Sequence, residues 1–310
     1  MKILAIVNPI SGDTSKEEFL DYFEHTTQKY GIDSEIFKTS GADDFSKITA
    51  ALTSCAPDLV VAIGGDGTFA LTALAAAGTK TSVGIIPLGS ANAMAKELGV
   101  SQVAEVAFDD LLKSRLVKQL DIIDINDKAK FIHLADIGLN ARVVRAFEED
   151  ENRGMLTYGK YLARELQNAP PIKYEIEANG DTIQGECVMI IIANGRKYGT
   201  GVSVTESGNP FDGLFELVII EEINLGTILK AGLSVIDQIY AFKGDSSKVI
   251  TTSEAKISFE RPELLQADGE VIGEFQVLNI SILSKKVNVL TTSMNLYISD
   301  IDSDLKPEID

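Results

Sequence analysis

Three short stretches rich in Gly, Ser and Asn carry the residue types best suited to chemistry. Gly64-Gly65-Asp66-Gly67-Thr68 stands between an apolar run, Leu59 to Ile63, and a helix-forming run that begins at Phe69. A helix that starts where a strand ends presents unpaired N–H groups and the positive end of its dipole, which suits a phosphate. Glycines let the backbone approach phosphate oxygens, Thr68 offers a hydroxyl, and Asp66 can reach a magnesium ion or order the groups around it. The same residues could form only a tight turn with a helix cap. Asn8-Pro9-Ile10-Ser11-Gly12 follows the first strand, and Pro87-Leu88-Gly89-Ser90-Ala91-Asn92 follows the strand ending at Ile86. Each alone could be turn chemistry, with Ser90 a plain N-cap. Three such loops at strand ends would line one edge of a sheet, and together they read as a nucleotide crevice.

A different chemistry is offered by Asp268-Gly269-Glu270. In an extended segment, carboxylates at i and i+2 point to the same face and could converge on one cleft, where one could accept a proton. The alternative is a hydrated hairpin tip, because Asp-Gly is a common turn pair. Asp212-Gly213 is likewise legible as a hairpin turn.

The elements that must position these residues change character near Leu120. Before it, strand-like and helix-like runs alternate: strand Lys2 to Val7, a helix opened by the capping box Ser15 to Glu18 and stopped by Gly31, strand Ser34 to Phe37, helix Asp43 to Cys55, and strand Leu59 to Ile63. A helix Phe69 to Ala77 ending at Gly78, strand Val83 to Ile86, and a helix Ala91 to Leu98 closed by Gly99 complete the series. Such alternation predicts a mostly parallel sheet covered on both faces. After Asp121 the pattern is that of hairpins, with turns at Asn126-Asp127, Asn179-Gly180, Asp212-Gly213 and Asp268-Gly269, and with helical insertions around Gly159 to Asn168 and Leu225 to Tyr240. The expected architecture is an α/β N-terminal domain over residues 1–120 and a mainly antiparallel β-sandwich or barrel-like domain over 121–290, with the segment near 290–310 a candidate to return to the first. The acidic tail from Ser299 has no apolar period and reads as frayed.

Composition narrows the function classes. The chain has 310 residues and a formal charge of −18, which disfavours nucleic acid, a partner that demands a dense basic surface, and also tight electrostatic binding to anionic lipid. No apolar run approaches the roughly 20 residues a spanning helix needs. The sequence therefore reads as a cytoplasmic protein, with a peripheral place at a membrane open to it and a homodimer open as an assembly. Cys55 and Cys187 lie far apart in apolar runs and read as buried free thiols. With only His25 and His133 present, a histidine metal cluster is excluded.

The three loops, in order and spacing, resemble the catalytic signature of diacylglycerol kinase-type lipid kinases, including bacterial and sphingosine kinase-like members. The resemblance continues through Ala93 to Lys96, Asp136-Ile137-Gly138-Leu139-Asn140, Asn194-Gly195, Tyr198-Gly199-Thr200-Gly201, Asp212-Gly213-Leu214 and Asp268-Gly269-Glu270, so it spans nearly the whole chain. It implies an NAD kinase/diacylglycerol kinase-like fold and an ATP- and Mg2+-dependent kinase that phosphorylates a lipid hydroxyl at a membrane surface. ATP would then be held by Asn8, Pro9, Ile10, Ser11, Gly12, Thr39, Gly64, Gly65, Asp66, Gly67, Thr68, Ser90 and Asn92. Glu270, Asp268 and Asp66 would be the candidates for the catalytic base, and Asn209, Asp212 and Leu214 would hold a structural magnesium. Phe69, Ala70 and Leu71 stand where many relatives have an Asn and a Glu, and Asn92-Ala93 is similar to the sphingosine kinase-like variant. Two other readings stay open: a soluble NAD kinase, which shares Gly-Gly-Asp-Gly-Thr followed by Phe, and a nucleotide-binding regulatory protein without turnover.

Overall fold

The computed structural model describes residues 1–12, 16–148, 160–162, 164–165, 170–198, 202–203, 205, 207–222, 247–295 and 297. The chain divides into two compact units, residues Met1–Ile122 with Ser284–Asp310, and Ile123–Leu283.

The first unit alternates β1 (Lys2–Val7), α1 (Glu17–Lys29), β2 (Asp33–Lys38), α2 (Asp44–Cys55), β3 (Leu59–Gly64), α3 (Asp66–Ala76), β4 (Ser82–Pro87), α4 (Ala93–Glu97), α5 (Ala104–Lys113) and β5 (Leu116–Leu120). Its sheet runs β2-β1-β3-β4, and these strands are parallel. The last strand among the described residues (Val287–Thr291) joins the same sheet, parallel to β4 and antiparallel to β5. Strand residues on one face, among them Ile3, Ala5, Val61 and Ile63, bury Phe19 and Phe23 of α1 and Phe108 of α5. Phe19 and Phe23 are spaced i, i+4, so one stripe of α1 faces the sheet, and full burial of each aromatic ring contributes about 1.5–3 kcal/mol. Leu4, Ile6, Val60 and Ala62, buried on the alternate face, support α2 and α3.

The second unit holds β6 (Ile123–Ile125), β7 (Ala129–Phe131), β8 (Leu134–Gly138), α6 (Leu139–Glu148), β9 (Ile172–Ala178), β10 (Asp181–Cys187), β11 (Met189–Ala193), β12 (Lys197–Tyr198), β13 (Val202–Ser203), β14 (Phe215–Ile220), β15 (Ser247–Thr252), β16 (Glu254–Ala267) and β17 (Glu270–Ile282); the strand that returns to the first unit is β18. All pairings here are antiparallel. β16 is the organiser: its first half pairs with β9 and its last three residues with β8. The register against β17 shifts between Ser258 and Glu263, where Pro262 cannot donate a ladder hydrogen bond. The strand thereby serves both layers around a core that includes Phe131, Ile137, Ile192, Phe215, Ile257 and Leu278. This is the α/β domain plus antiparallel sandwich that the alternation of sequence patterns predicts.

Several local expectations are corrected. Helix α3 starts at Asp66 rather than Phe69, so the glycine motif is its first turn. Helix α4 spans only Ala93–Glu97, with Asn92 and not Ser90 at its N-cap. Lys16 is the N-cap of α1, without a side-chain cap bond, and Ser15 of the expected capping box lies outside the described residues. Asp212-Gly213 joins no hairpin, because β13 pairs with β12 and β14 pairs with β11 and β15. Helix α5 and strand β5 were not legible as separate elements. Residues 160–162 and 164–165 are helical, whereas the expected helix of 225–240 and the tail from Ser299 lie outside the described residues. Both cysteines are buried free thiols.

Candidate functional site

The sheet order places β1 between β2 and β3, so the chain leaves β1 toward one side and enters β3 on the other; the crevice of such a sheet opens at the strand ends there. All three glycine-rich loops emerge at that end. The Leu88 N–H donates to the Gly64 carbonyl at 2.9 Å and the Asn8 N–H to the Ile63 carbonyl at 3.2 Å. A Cβ added at Gly89 would lie 2.3 Å from Gly65 Cα, and one at Gly12, whose φ is +66°, would lie 2.8 Å from the Leu88 carbonyl oxygen. Loops this close admit glycine alone. The structure thus brings together Ser11-Gly12, Gly64-Gly65 and Leu88-Gly89.

Within this cluster the side chains have distinct duties. Gly65 is the N-cap of α3 and supplies no cap hydrogen bond, so the first N–H groups of the helix lack intrahelical partners. A Cβ at Gly67, which is exposed, would meet nothing within 4 Å. The Thr68 hydroxyl is buried and has no hydrogen-bond partner. Such an orphaned group beside a helix N-terminus suits an anion's oxygens, so these residues fit a nucleotide phosphate. Asp66 Oδ1 accepts the Met94 N–H at 2.8 Å and so ties the start of α3 to α4. Asn92, in the left-handed region at φ +51°, accepts the Gly89 N–H and donates to the Gly89 carbonyl, both at 2.9 Å. Its side chain therefore shapes the loop, while Ser90 is exposed beside it. Asn8 Oδ1 accepts the Ile10 N–H at 3.2 Å and Ser11 Oγ donates to the Asn8 carbonyl at 3.3 Å, with Pro9 and Ile10 exposed at the tip. Thr39 follows β2 and its N–H donates to the Val7 carbonyl at 2.8 Å.

Lys16 was not singled out by sequence reasoning. It is 6% exposed, its Nζ donates to the Ser11 carbonyl, and burial holds its amine below the usual lysine range. A lysine at a helix start carries no sequence signal of burial.

In the second unit, Asp268 and Gly269 form the two-residue loop between β16 and β17, with φ of +46° and +90° and Ala267 paired with Glu270. The turn overturns the extended geometry that would have put both carboxylates on one face. Asp268 accepts the Leu134 N–H at 3.0 Å and the Ile132 N–H at 3.2 Å, and its own N–H donates to the Leu134 carbonyl at 2.8 Å. Burial pushes its carboxyl upward, opposed by nearby His133 and these backbone donors. Asp268 is thus a clamp on the turn, and Glu270 is the exposed carboxylate.

Asp212, also exposed, accepts the Leu214 N–H at 2.9 Å, and the Asn209 carbonyl accepts the Asp212 N–H at 3.4 Å. Close to Asp212, Glu216 is 1% exposed, and burial, followed by the charge of Asp212, pushes its carboxyl up to about 7. Its Oε2 has no hydrogen-bond partner. Two neighbouring carboxylates with one buried have a donor chemistry suited to a cation, while among the described residues no three acidic, His or Cys side chains cluster.

A parallel-sheet unit with three converging strand-end loops, followed by an antiparallel sandwich, is a fold shared with solved NAD and diacylglycerol kinases. A crystal structure of a diacylglycerol kinase from Bacillus anthracis superposes with TM-score 0.69 at 18% identity, covering 95% of this chain and 98% of that one. The NAD kinase from Archaeoglobus fulgidus in complex with ATP gives 0.55 at 11% identity over 94% of each chain. Residues 2–125 match the diacylglycerol kinase catalytic domain, and 134–291 match the YegS C-terminal NAD kinase beta sandwich-like domain. The diacylglycerol kinase of Bacillus subtilis is 23% identical over 300 residues, 92% of this chain and 97% of its own. The chain belongs to the bacterial diacylglycerol kinase-like lipid kinase family.

Proposed function

We propose that this protein is an ATP- and Mg2+-dependent kinase that phosphorylates the hydroxyl of a lipid such as diacylglycerol or a sphingoid-like base. The observation that carries the reading is the open Gly67 position beside the orphaned Thr68 hydroxyl, at the N-terminus of α3 where three glycine-rich loops meet. When bound, magnesium and the triphosphate would supply a neutralised, activated γ-phosphoryl group, and phosphoryl transfer asks mainly for positioning. Asn8 to Gly12, Thr39, Gly64 to Thr68, Ser90 and Asn92 would bind or shape the nucleotide site. Asp66 would order the metal and phosphate side of it. Glu270 would accept the proton as the lipid oxygen bonds to the γ-phosphorus and the bond to the bridging oxygen breaks. Asp268 would hold the turn that carries Glu270, and Asn209, Asp212 and the Leu214 carbonyl would keep a structural magnesium. No helix among the described residues is long and apolar enough to cross a membrane; the protein would meet its lipid from the aqueous side, as a cytoplasmic enzyme at the membrane surface.

ATP turnover should be measured with diacylglycerol, a sphingoid base and NAD as parallel acceptors. Lipid-dependent turnover is expected, with Glu270→Gln losing roughly 10²- to 10⁴-fold in kcat and little ATP affinity, the usual worth of a positioned proton acceptor. Phosphorylation of NAD alone would favour the soluble nucleotide kinase, which Phe69 after Gly-Gly-Asp-Gly-Thr also suits. Near-normal turnover by Glu270→Gln would move the base to Asp66 or Asp268. For the metal, Mg2+ should raise Tm in the wild type but not in Asp212→Asn; equal shifts would remove that site.

A further inference from the structure

Asp136 belongs to a motif that the proposed chemistry leaves unused. It lies on β8 directly opposite Gln266 of β16, and both are fully buried. Gln266 Nε2 donates to Asp136 Oδ2, an oxygen that also accepts the Asn140 side-chain amide at 2.6 Å. At its other end, Gln266 Oε1 accepts the backbone N–H of Gly269 at 3.0 Å.

We propose that Asp136 is a positioning residue: acting through the Gln266 amide, it holds the Gly269 N–H and so sets where the turn presents Glu270. The proposal rests on the reading of Glu270 as proton acceptor. The logic is one of polarity. An amide can sit in either of two orientations, and only an acceptor at one end forces its oxygen toward a donor at the other. An ionised Asp136 is acceptor-only; a protonated one can donate, which lets the amide turn and leaves Gly269 facing an NH2 group. Apolar residues would fill the space without the cost of burying a carboxyl, so the carboxyl's presence calls for a polar duty.

The switch between these states falls in a useful range. Burial pushes the Asp136 carboxyl up to about 7, against the pull of its bonds from Asn140 and Gln266. Both arginines of helix α6 are paired elsewhere. Arg142 of α6 meets Glu263 of β16 at 2.7 Å, and Arg145 of α6 meets Glu274 of β17 at 3.0 Å. The facing strand β11 is apolar throughout, and His133, which precedes β8, acts on Asp268. The turn should therefore be held firmly above neutrality and loosened below it.

The test uses the full chain labelled with 15N-glycine, following the Gly269 amide against pH, alongside kcat and KM for ATP. The wild-type amide should titrate with a midpoint about 7, and this titration should vanish in Asp136→Asn, which keeps an acceptor oxygen but has no ionisable group. The kcat profile should lose its inflection in the same variant. Gln266→Met, close in shape but without the amide, should lose roughly tenfold in kcat with KM for ATP little changed. Should Gln266→Met fail to fold, the near-isosteric Asp136→Asn decides alone. An unaltered Gly269 titration or an unaltered kcat profile in Asp136→Asn overturns the proposal. A Gly269 titration that follows Asp136 in a protein that turns over no lipid supports the linkage while overturning the reading of Glu270.

Discussion

Gly65 and Gly67 carry the same residue type two positions apart, yet a methyl group would meet different things at each. At Gly65 it would lie 3.3 Å from Gly89 Cα, so a larger residue such as Val disturbs the loops before it reaches any ligand. At Gly67 it would meet nothing. Gly67 sits in the first turn of α3, where Ala restricts the unfolded chain without strain, so Gly67→Ala should stabilise the protein by about 0.4–1 kcal/mol. If a phosphate occupies that space, the same substitution should weaken ATP binding roughly tenfold or more, the loss expected when a side chain blocks close backbone approach. Thermal unfolding without nucleotide reads the first effect and calorimetric titration the second. A stabilised variant with undiminished ATP affinity would empty the crevice assignment of content. The sequence pattern alone could not separate the two glycines, because spacing says where glycine occurs and not what lies opposite it.

At the scale of elements, what holds the site is contact between loops that are distant in sequence. Gly89 tolerates no Cβ because Gly65 Cα would be 2.3 Å from it. Gly89→Ala should therefore force β3 and β4 loops apart, at a cost of about 1–3 kcal/mol for overpacking, and abolish nucleotide binding with it. Urea midpoints and ATP titration of the variant check this; wild-type stability would mean the loops are not in contact. Most strands and helices of the first unit as far as α4 were readable because Gly, Asn or Pro follows their apolar runs, whereas α5 and β5, followed by Ser114 and Asp121, carry no such stop. The start of α3 was not readable either, since Asp66, Gly67 and Thr68 have weak helix propensity and are held by tertiary contacts such as Asp66 with the Met94 N–H. The Asp268-Gly269 turn was legible from its residues, but the clamp of Asp268 on Ile132 and Leu134 spans more than 130 positions and leaves no local trace. The same holds for the pairing of Gln266 with Asp136, where polar residues fall at buried positions for a reason only the fold displays.

For the whole molecule, charge and burial act on stability with the same sign and can still be told apart. The formal charge of −18 means that deprotonation on raising pH adds to self-repulsion in the folded state. Independently, Asp136 has a folded-state carboxyl pushed up to about 7, while in the unfolded chain it returns to the ordinary carboxylate range. Between these two values the folded protein binds a proton that the unfolded chain has released, so unfolding free energy must fall as pH rises through that window. Glu216, also pushed up to about 7, adds to the slope in the same direction. Urea midpoints measured at about pH 5 and about pH 8 should therefore decline with pH, and the decline should become shallower, not vanish, in Asp136→Asn, which removes one of these proton sites. Salt separates the two causes. Repulsion among exposed charges is screened as the Debye length shortens from about 10 Å at 0.1 M to about 3 Å at 1 M, whereas desolvation of a buried carboxyl is not. The difference in slope between wild type and Asp136→Asn should thus survive high salt. If it disappears there, the slope is owed to surface repulsion, and Asp136 is already ionised in the folded protein well below neutrality.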